Sequence, residues 1–114
     1  MLVYYLDDER ALCEIFKEFF NDEDTKVVTF TKAKEAIDSC NVDKPDLIFI
    51  DYRLSETSGD KVASALDDTI PKVLVTGELD MPDGALFFEV IAKPFKLASI
   101  KGLIESFRQG MTNV

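Results

Sequence analysis

Five short apolar runs alternate with helix-length segments along this chain, and that alternation restricts its fold more than any other feature. The runs cover residues 2–6, 26–30, 47–50, 72–75 and 86–92. Leu47-Ile48-Phe49-Ile50 is apolar at every position, as expected of a strand buried on both faces of a parallel sheet. Val27, Val28 and Thr29 are β-branched and mark the second run as strand. Strands joined by helical crossovers pair in parallel and carry helices on both faces, so the expected class is α/β.

The intervening segments carry helical periodicity. Leu12, Ile15, Phe16, Phe19 and Phe20 recur at three- and four-residue spacing and predict one apolar face of a helix over 8–20. Thr31 is the expected N-cap of a second helix with Ala33, Ala36, Ile37 and Cys40 facing inward, broken over 41–45. Ser58 is the expected cap of a third, burying Val62, Ala63 and Leu66. Leu97, Ile100, Leu103, Ile104 and Phe107 form the face of the last helix, which is expected to fray by Gly110. Segment 78–85 holds Pro82 and Gly84, which predict a short or irregular fourth helix.

A length of 114 residues fits one domain, spanning 1–114. Net charge is −9, so a nucleic-acid backbone would be repelled and direct nucleic-acid binding is not expected. The chain has no histidine, which removes Ser-His-Asp and Cys-His catalysis, histidine-ligated zinc and any phosphohistidine. Cys13 and Cys40 lack metal-type spacing and read as reduced, packed thiols. No secretory signal is visible, and no apolar run approaches the roughly 20 residues that span a bilayer. A cytoplasmic protein without membrane insertion is expected.

Four of the runs end in a polar functional group: Asp7-Asp8, Asp51, Thr76 and Lys93. In an open parallel sheet, the carboxyl ends of the strands are where ligands bind. Alone, Asp7-Asp8 reads as a solvated turn or cap, Thr76-Gly77 as a strand end and Lys93-Pro94 as a loop. Their joint order is what points to a site. Asp8 and Asp51 with Asp7 beside them bring three negative charges together, which calls for a cation. Mg2+ suits oxygen ligands and is commonly held by one or two carboxylates plus a phosphate oxygen; the Arg53 carbonyl offers a further ligand. A carboxylate can also be a nucleophile toward phosphorus. Thr76 supplies a hydroxyl donor and Lys93 a point charge for phosphoryl oxygens. Glu9 reads as a first-turn helix acid, while Glu78 and Arg53 are candidates for tuning attack by water.

Asp7-Asp8-Glu9, the stretch from Pro45 through Asp51 to Leu54, Gly59, Thr76-Gly77 and Lys93-Pro94-Phe95 resemble the response-regulator receiver domain of two-component signalling, over essentially the whole chain. The resemblance implies a flavodoxin-like (βα)5 three-layer sandwich with a parallel sheet of order 2-1-3-4-5. It implies that Asp51 accepts a phosphoryl group from a histidine kinase or histidine phosphotransfer protein. Asp8, Asp51 and the Arg53 carbonyl would bind Mg2+, with Asp7 acting through water, while Thr76 and Lys93 hold the phosphoryl oxygens. The Lys93–Pro94 bond would be cis. Such a domain is not an enzyme in the usual sense, catalysing only its own phosphorylation and dephosphorylation. The chain reads equally as a stand-alone receiver or as one excised from a hybrid kinase; with no output domain in its 114 residues, it is expected to reach a downstream target by protein contact, as a monomer or weak dimer.

Three features depart from that family's pattern. Val90 stands three residues before the lysine, where Tyr or Phe is usual; the third- and fourth-helix regions are short; and Ser55 replaces a frequent proline. They leave the acceptor site intact and bear on how a signal leaves it. The alternative reading is a phosphorylation-independent pseudo-receiver that serves as an interaction module. A small phosphotransfer enzyme lacks a substrate-binding insertion, and a flavin carrier lacks a phosphate-cradling loop after Leu2–Leu6.

Overall fold

Alternation along each strand divides the apolar side chains between two faces of one sheet. Val3 and Tyr5 of β1 (Leu2–Leu6) join Leu47 and Phe49 of β3 (Leu47–Asp51) in one core; Tyr4, Leu6, Ile48 and Ile50 join the other. The computed structural model describes residues 1–77 and 86–112, and within them β2 (Lys26–Phe30), β4 (Lys72–Thr76) and β5 (Glu89–Ala92) complete a parallel sheet of order β2-β1-β3-β4-β5.

α1 (Arg10–Phe20) and α4 (Leu97–Thr112) cover the first face through Cys13, Phe16, Phe20, Ile100 and Ile104. α2 (Ala33–Val42) and α3 (Gly59–Ala65) cover the second through Ala36, Cys40, Val62 and Ala63. The three-layer arrangement and the strand order are therefore as expected, as are the two free, buried thiols. β1 and β3 are neighbours although β2 separates them in the chain, so the strand order reverses between them. That reversal point is where open α/β sheets form their binding crevice. Among the described residues, no helix is long and apolar enough to cross a membrane.

Several local expectations need correction. α1 begins at Arg10, with Glu9 at its N-cap, because Asp7 and Asp8 belong to the turn leaving β1. Its inward face centres on Cys13, Phe16 and Phe20. Ile15 and Phe19 lie about 100° to one side at 3.6 residues per turn, so Ile15 is 40% and Phe19 60% exposed. Lys32, not Thr31, is the N-cap of α2. Ser58 does cap α3 by position, without a side-chain capping bond. α2 continues through Val42, and α4 continues past Gly110 to Thr112. β5 starts at Glu89 rather than at 86; the Phe88 amide still donates to the Lys72 carbonyl of β4 at 2.8 Å, while its ring meets Phe107 edge-on, with centroids 4.9 Å apart. The expected irregular helix over 78–85, and Glu78 with it, lie outside the described residues.

Candidate functional site

Register brings the sequence-predicted residues to one edge. Leu6 pairs with Ile50, so Asp7 and Asp51 emerge side by side at the ends of adjacent strands. Asp51 pairs with Val75 and Thr76 with Ala92, which delivers Thr76 and Lys93 to the same rim. The Lys93 amide donates to the Thr76 carbonyl at 2.8 Å, fixing the exit from β5, and the Lys93–Pro94 peptide bond is cis. Asp8, Glu9, Asp51, Arg53, Thr76, Gly77 and Lys93 line one open cleft of about 380 Å³.

Charge dominates the cleft. Carboxylate oxygens of Asp7, Asp8 and Asp51 all lie within 4.8 Å of one another. Lys93 Nζ sits 3.0 Å from Asp51 Oδ1 and 3.1 Å from Asp7 Oδ2, so a single ammonium group bridges two of the three acids. Burial, then the neighbouring Asp7 and Asp8 charges, push the Asp51 carboxyl up to about 6, while the Lys93 hydrogen bond and charge hold it back. Burial pulls Lys93 down, but hydrogen bonds and attraction from Asp51 and Asp7 outweigh it and raise Lys93 above its ordinary value. Asp8 is exposed at the mouth of the cleft, whereas Asp7 is completely buried. The cluster is short of positive charge. Its oxygen-only donor set and open face fit a hard divalent cation.

Asp7 proves to be the most constrained group. Its Oδ1 accepts the Glu9 amide at 2.9 Å, and its Oδ2 accepts both Lys93 and the Tyr5 hydroxyl, the latter at 2.7 Å. Tyr5 was absent from the sequence-predicted set, since a tyrosine in an apolar run reads as core. A period-two reading contains the signal: two residues apart on a strand, Tyr5 and Asp7 share a face.

Gly59 has a steric role. A Cβ there would stand 2.6 Å from the Asp51 carbonyl oxygen and 3.1 Å from both Tyr52 Cα and Leu74 Cδ1. The loop after β3 closes back on this point, with the Gly59 amide donating to the Tyr52 carbonyl at 2.7 Å. Arg53 bridges to Ser58 within that loop and lines the cleft wall. Gly59→Val should therefore displace the Asp51 backbone and lower stability by about 1–3 kcal/mol, the usual penalty for overpacking. Thermal denaturation checks this, and an unchanged melting temperature would contradict the close approach.

Comparison with known proteins gives a consistent picture. The profile of the response regulator receiver domain matches residues 3–105. The C4-dicarboxylate transport transcriptional regulatory protein DctD of Rhizobium meliloti (strain 1021) is 31% identical over 103 residues, covering 82% of this chain and 22% of that protein. Regulatory protein VanR of Enterococcus faecium is 25% identical, over 94% of this chain and 51% of its own length. Sporulation initiation phosphotransferase F of Bacillus subtilis (strain 168) is also 25% identical, over 92% of this chain and 91% of that protein. The chain thus spans about a fifth of the first relative and half of the second. Among solved structures, response regulator protein TrrA from Thermotoga maritima, in complex with Mg(2+)-BeF, superposes with a TM-score of 0.82 at 21% identity, covering 93% of this chain and 97% of that one. A CheY-like receiver domain from Methanospirillum hungatei JF-1 reaches 0.86 at 18% identity, covering 98% and 96%.

Proposed function

The chain belongs to the response regulator receiver domain family, and from that premise we propose that Asp51 is the acceptor of a phosphoryl group in a two-component or phosphorelay pathway. The observation that carries the proposal is the Asp51 carboxylate, paired at 3.0 Å with Lys93 and opening on an acidic cleft. A carboxylate oxygen attacks phosphorus and forms an acyl phosphate, while the donor leaves. Phosphoryl transfer depends chiefly on positioning and on neutralising charge spread over the phosphoryl oxygens. Lys93 meets one of those oxygens and Thr76 another. Asp8 and Asp51, with the Arg53 carbonyl, would hold Mg2+, and Asp7 would reach it through water. When bound, the cation would draw charge from a phosphoryl oxygen and offset the repulsion between acids.

The phosphoryl donor in this reading is a histidine kinase or histidine phosphotransfer protein, and the output is contact with a downstream protein. The domain is taken as 1–114 and its place as the cytoplasm. It acts on itself rather than on a free metabolite.

Calorimetric titration tests the reading. With Mg2+ present, beryllofluoride, a mimic of the phosphoryl group, should bind one-to-one and be lost in Asp51→Asn. A folded protein that ignores beryllofluoride with Mg2+ present would contradict the reading and favour the pseudo-receiver. Val90, half-buried on β5 opposite Leu74, gives that second reading its support, since valine lacks the two-position aromatic ring usual there. In the same titration Asp8→Ala should weaken Mg2+ by at least about tenfold. Loss of an outer-shell partner alone commonly has that effect, and a direct ligand should matter no less. Unchanged Mg2+ affinity would overturn the metal assignment.

A further inference from the structure

We propose that Tyr5 is a positioning residue for the phosphoacceptor site, setting through Asp7 where the Lys93 ammonium points. The inference rests on the phosphoacceptor reading of Asp51. Tyr5 is wholly buried, yet its hydroxyl donates to Asp7 Oδ2 at 2.7 Å, the same oxygen that accepts Lys93 at 3.1 Å. The ring has little freedom to move. It stacks on Phe16 with centroids 4.2 Å apart and planes 9° from parallel. Phe16 in turn stands edge-on to Phe20 and to Phe49, the latter on the strand that ends at Asp51. An aromatic block anchored on α1, β1 and β3 therefore aims one hydroxyl at one carboxylate oxygen.

The consequence lies in how Lys93 is shared. Asp7 Oδ1 is occupied by the Glu9 amide, and Oδ2 divides its acceptor capacity between a phenol and an ammonium group. With the phenol present, Asp7 holds Lys93 without monopolising it, and Nζ stays 3.0 Å from Asp51. With the phenol removed, Oδ2 of the wholly buried Asp7 is left to Lys93 alone. The Asp7–Lys93 pair then tightens and draws the ammonium group away from the Asp51 side, where a phosphoryl oxygen must meet it. Packing alone does not explain a hydroxyl here; phenylalanine would fill the same space.

Tyr5→Phe keeps the ring and removes only the donor. At saturating Mg2+, its beryllofluoride affinity and its rate of labelling by acetyl phosphate should both fall by about tenfold, a factor in keeping with a hydrogen bond to a charged group. Mg2+ affinity without beryllofluoride should stay within about twofold, because Lys93 rather than the cation is displaced. In an Asp7→Asn background, Tyr5→Phe should have no further effect. Should Tyr5→Phe not fold, Asp7→Asn weakens the hold on Lys93 from its other end and must leave beryllofluoride affinity at saturating Mg2+ at or above the parental value; a loss there would overturn the role of Tyr5. Parental beryllofluoride affinity in Tyr5→Phe, or equal losses of Mg2+ and beryllofluoride, would overturn the role of Tyr5. A parent protein that binds no beryllofluoride would instead overturn the acceptor reading beneath it.

Discussion

Asp51→Asn is expected to abolish phosphorylation by acetyl phosphate and, without divalent cations at neutral pH, to make the protein more stable than its parent. The first effect follows from loss of the attacking oxygen. The second follows from electrostatics. Asp51 shares a 4.8 Å cluster with Asp7 and Asp8, and its carboxyl is pushed up to about 6 from an ordinary 3.8. Folding therefore works against its ionised form. A shift of that size corresponds to about 3 kcal/mol at pH values above both figures.

The pH dependence has a definite sign. Between 3.8 and about 6 the folded protein binds the Asp51 proton more tightly than the unfolded chain does. Stability from this group is thus lowest above about 6, and rises as pH falls through that value toward 3.8. Denaturant unfolding of parent and Asp51→Asn at a series of pH values isolates the contribution. The advantage of Asn should be greatest near neutrality and shrink on acidification. Mg2+ should erase most of it by supplying the missing positive charge. An advantage independent of pH and Mg2+ would contradict the electrostatic account.

Lys93→Ala carries the second large effect, with the opposite sign for stability. Lys93 bridges Asp7 and Asp51 at 3.1 and 3.0 Å, and its side chain is only 20% exposed. Removing one partner of a buried pair leaves uncompensated charge and destabilises by about 3 kcal/mol. Here it leaves three carboxylates together with no lysine between them. Labelling by acetyl phosphate should fall by orders of magnitude, because a fixed positive charge aimed where charge develops is a large contributor to transition-state stabilisation. Mg2+ affinity, by contrast, should be kept or tightened, since the cation no longer competes with an ammonium group for the same oxygens. Calorimetry and thermal melts with and without Mg2+ separate these outcomes. The variant should show a larger Mg2+-dependent rise in melting temperature than the parent. Loss of Mg2+ binding would mean that Lys93 orders the site rather than neutralising it.

The parts of this architecture legible in the sequence are those where one strong local pattern acts alone. The uninterrupted run Leu47-Ile48-Phe49-Ile50 announces a central strand, and the polar residues after four of the runs announce a polar rim at one edge of the sheet. Strand order was a different matter. No periodicity states that β1 lies between β2 and β3, and that expectation came from family resemblance, which the observed pairing bears out. Errors arose where two apolar environments compete. Phe87 and Phe88 look like strand, but β5 begins only at Glu89 and the Phe88 ring packs on Phe107 of α4. Phe19 looks like core, but the helix face is centred elsewhere, and a 60% exposed ring remains. Tyr5 shows the reverse case. Its ring obeys the hydrophobic pattern perfectly well, so the pattern hides the hydroxyl that reaches Asp7.

The site itself was legible as a set of residues and not as a circuit. Sequence order placed Asp7, Asp8, Asp51, Thr76 and Lys93 on one rim, and they line up there. Division of labour among the acids needed coordinates. Asp8 faces solvent, Asp51 is nearly enclosed, and Asp7 is held by three donors at once.

The most direct test is to identify the atom that carries phosphorus. The protein would be treated with acetyl phosphate and Mg2+, reduced with borohydride to convert any aspartyl phosphate to homoserine, and sequenced by tandem mass spectrometry. Homoserine at position 51, absent from Asp51→Asn and absent without Mg2+, is the predicted result. Modification at Asp8 or Thr76 instead, or a product that persists in Asp51→Asn, would contradict the assignment of Asp51 as the acceptor.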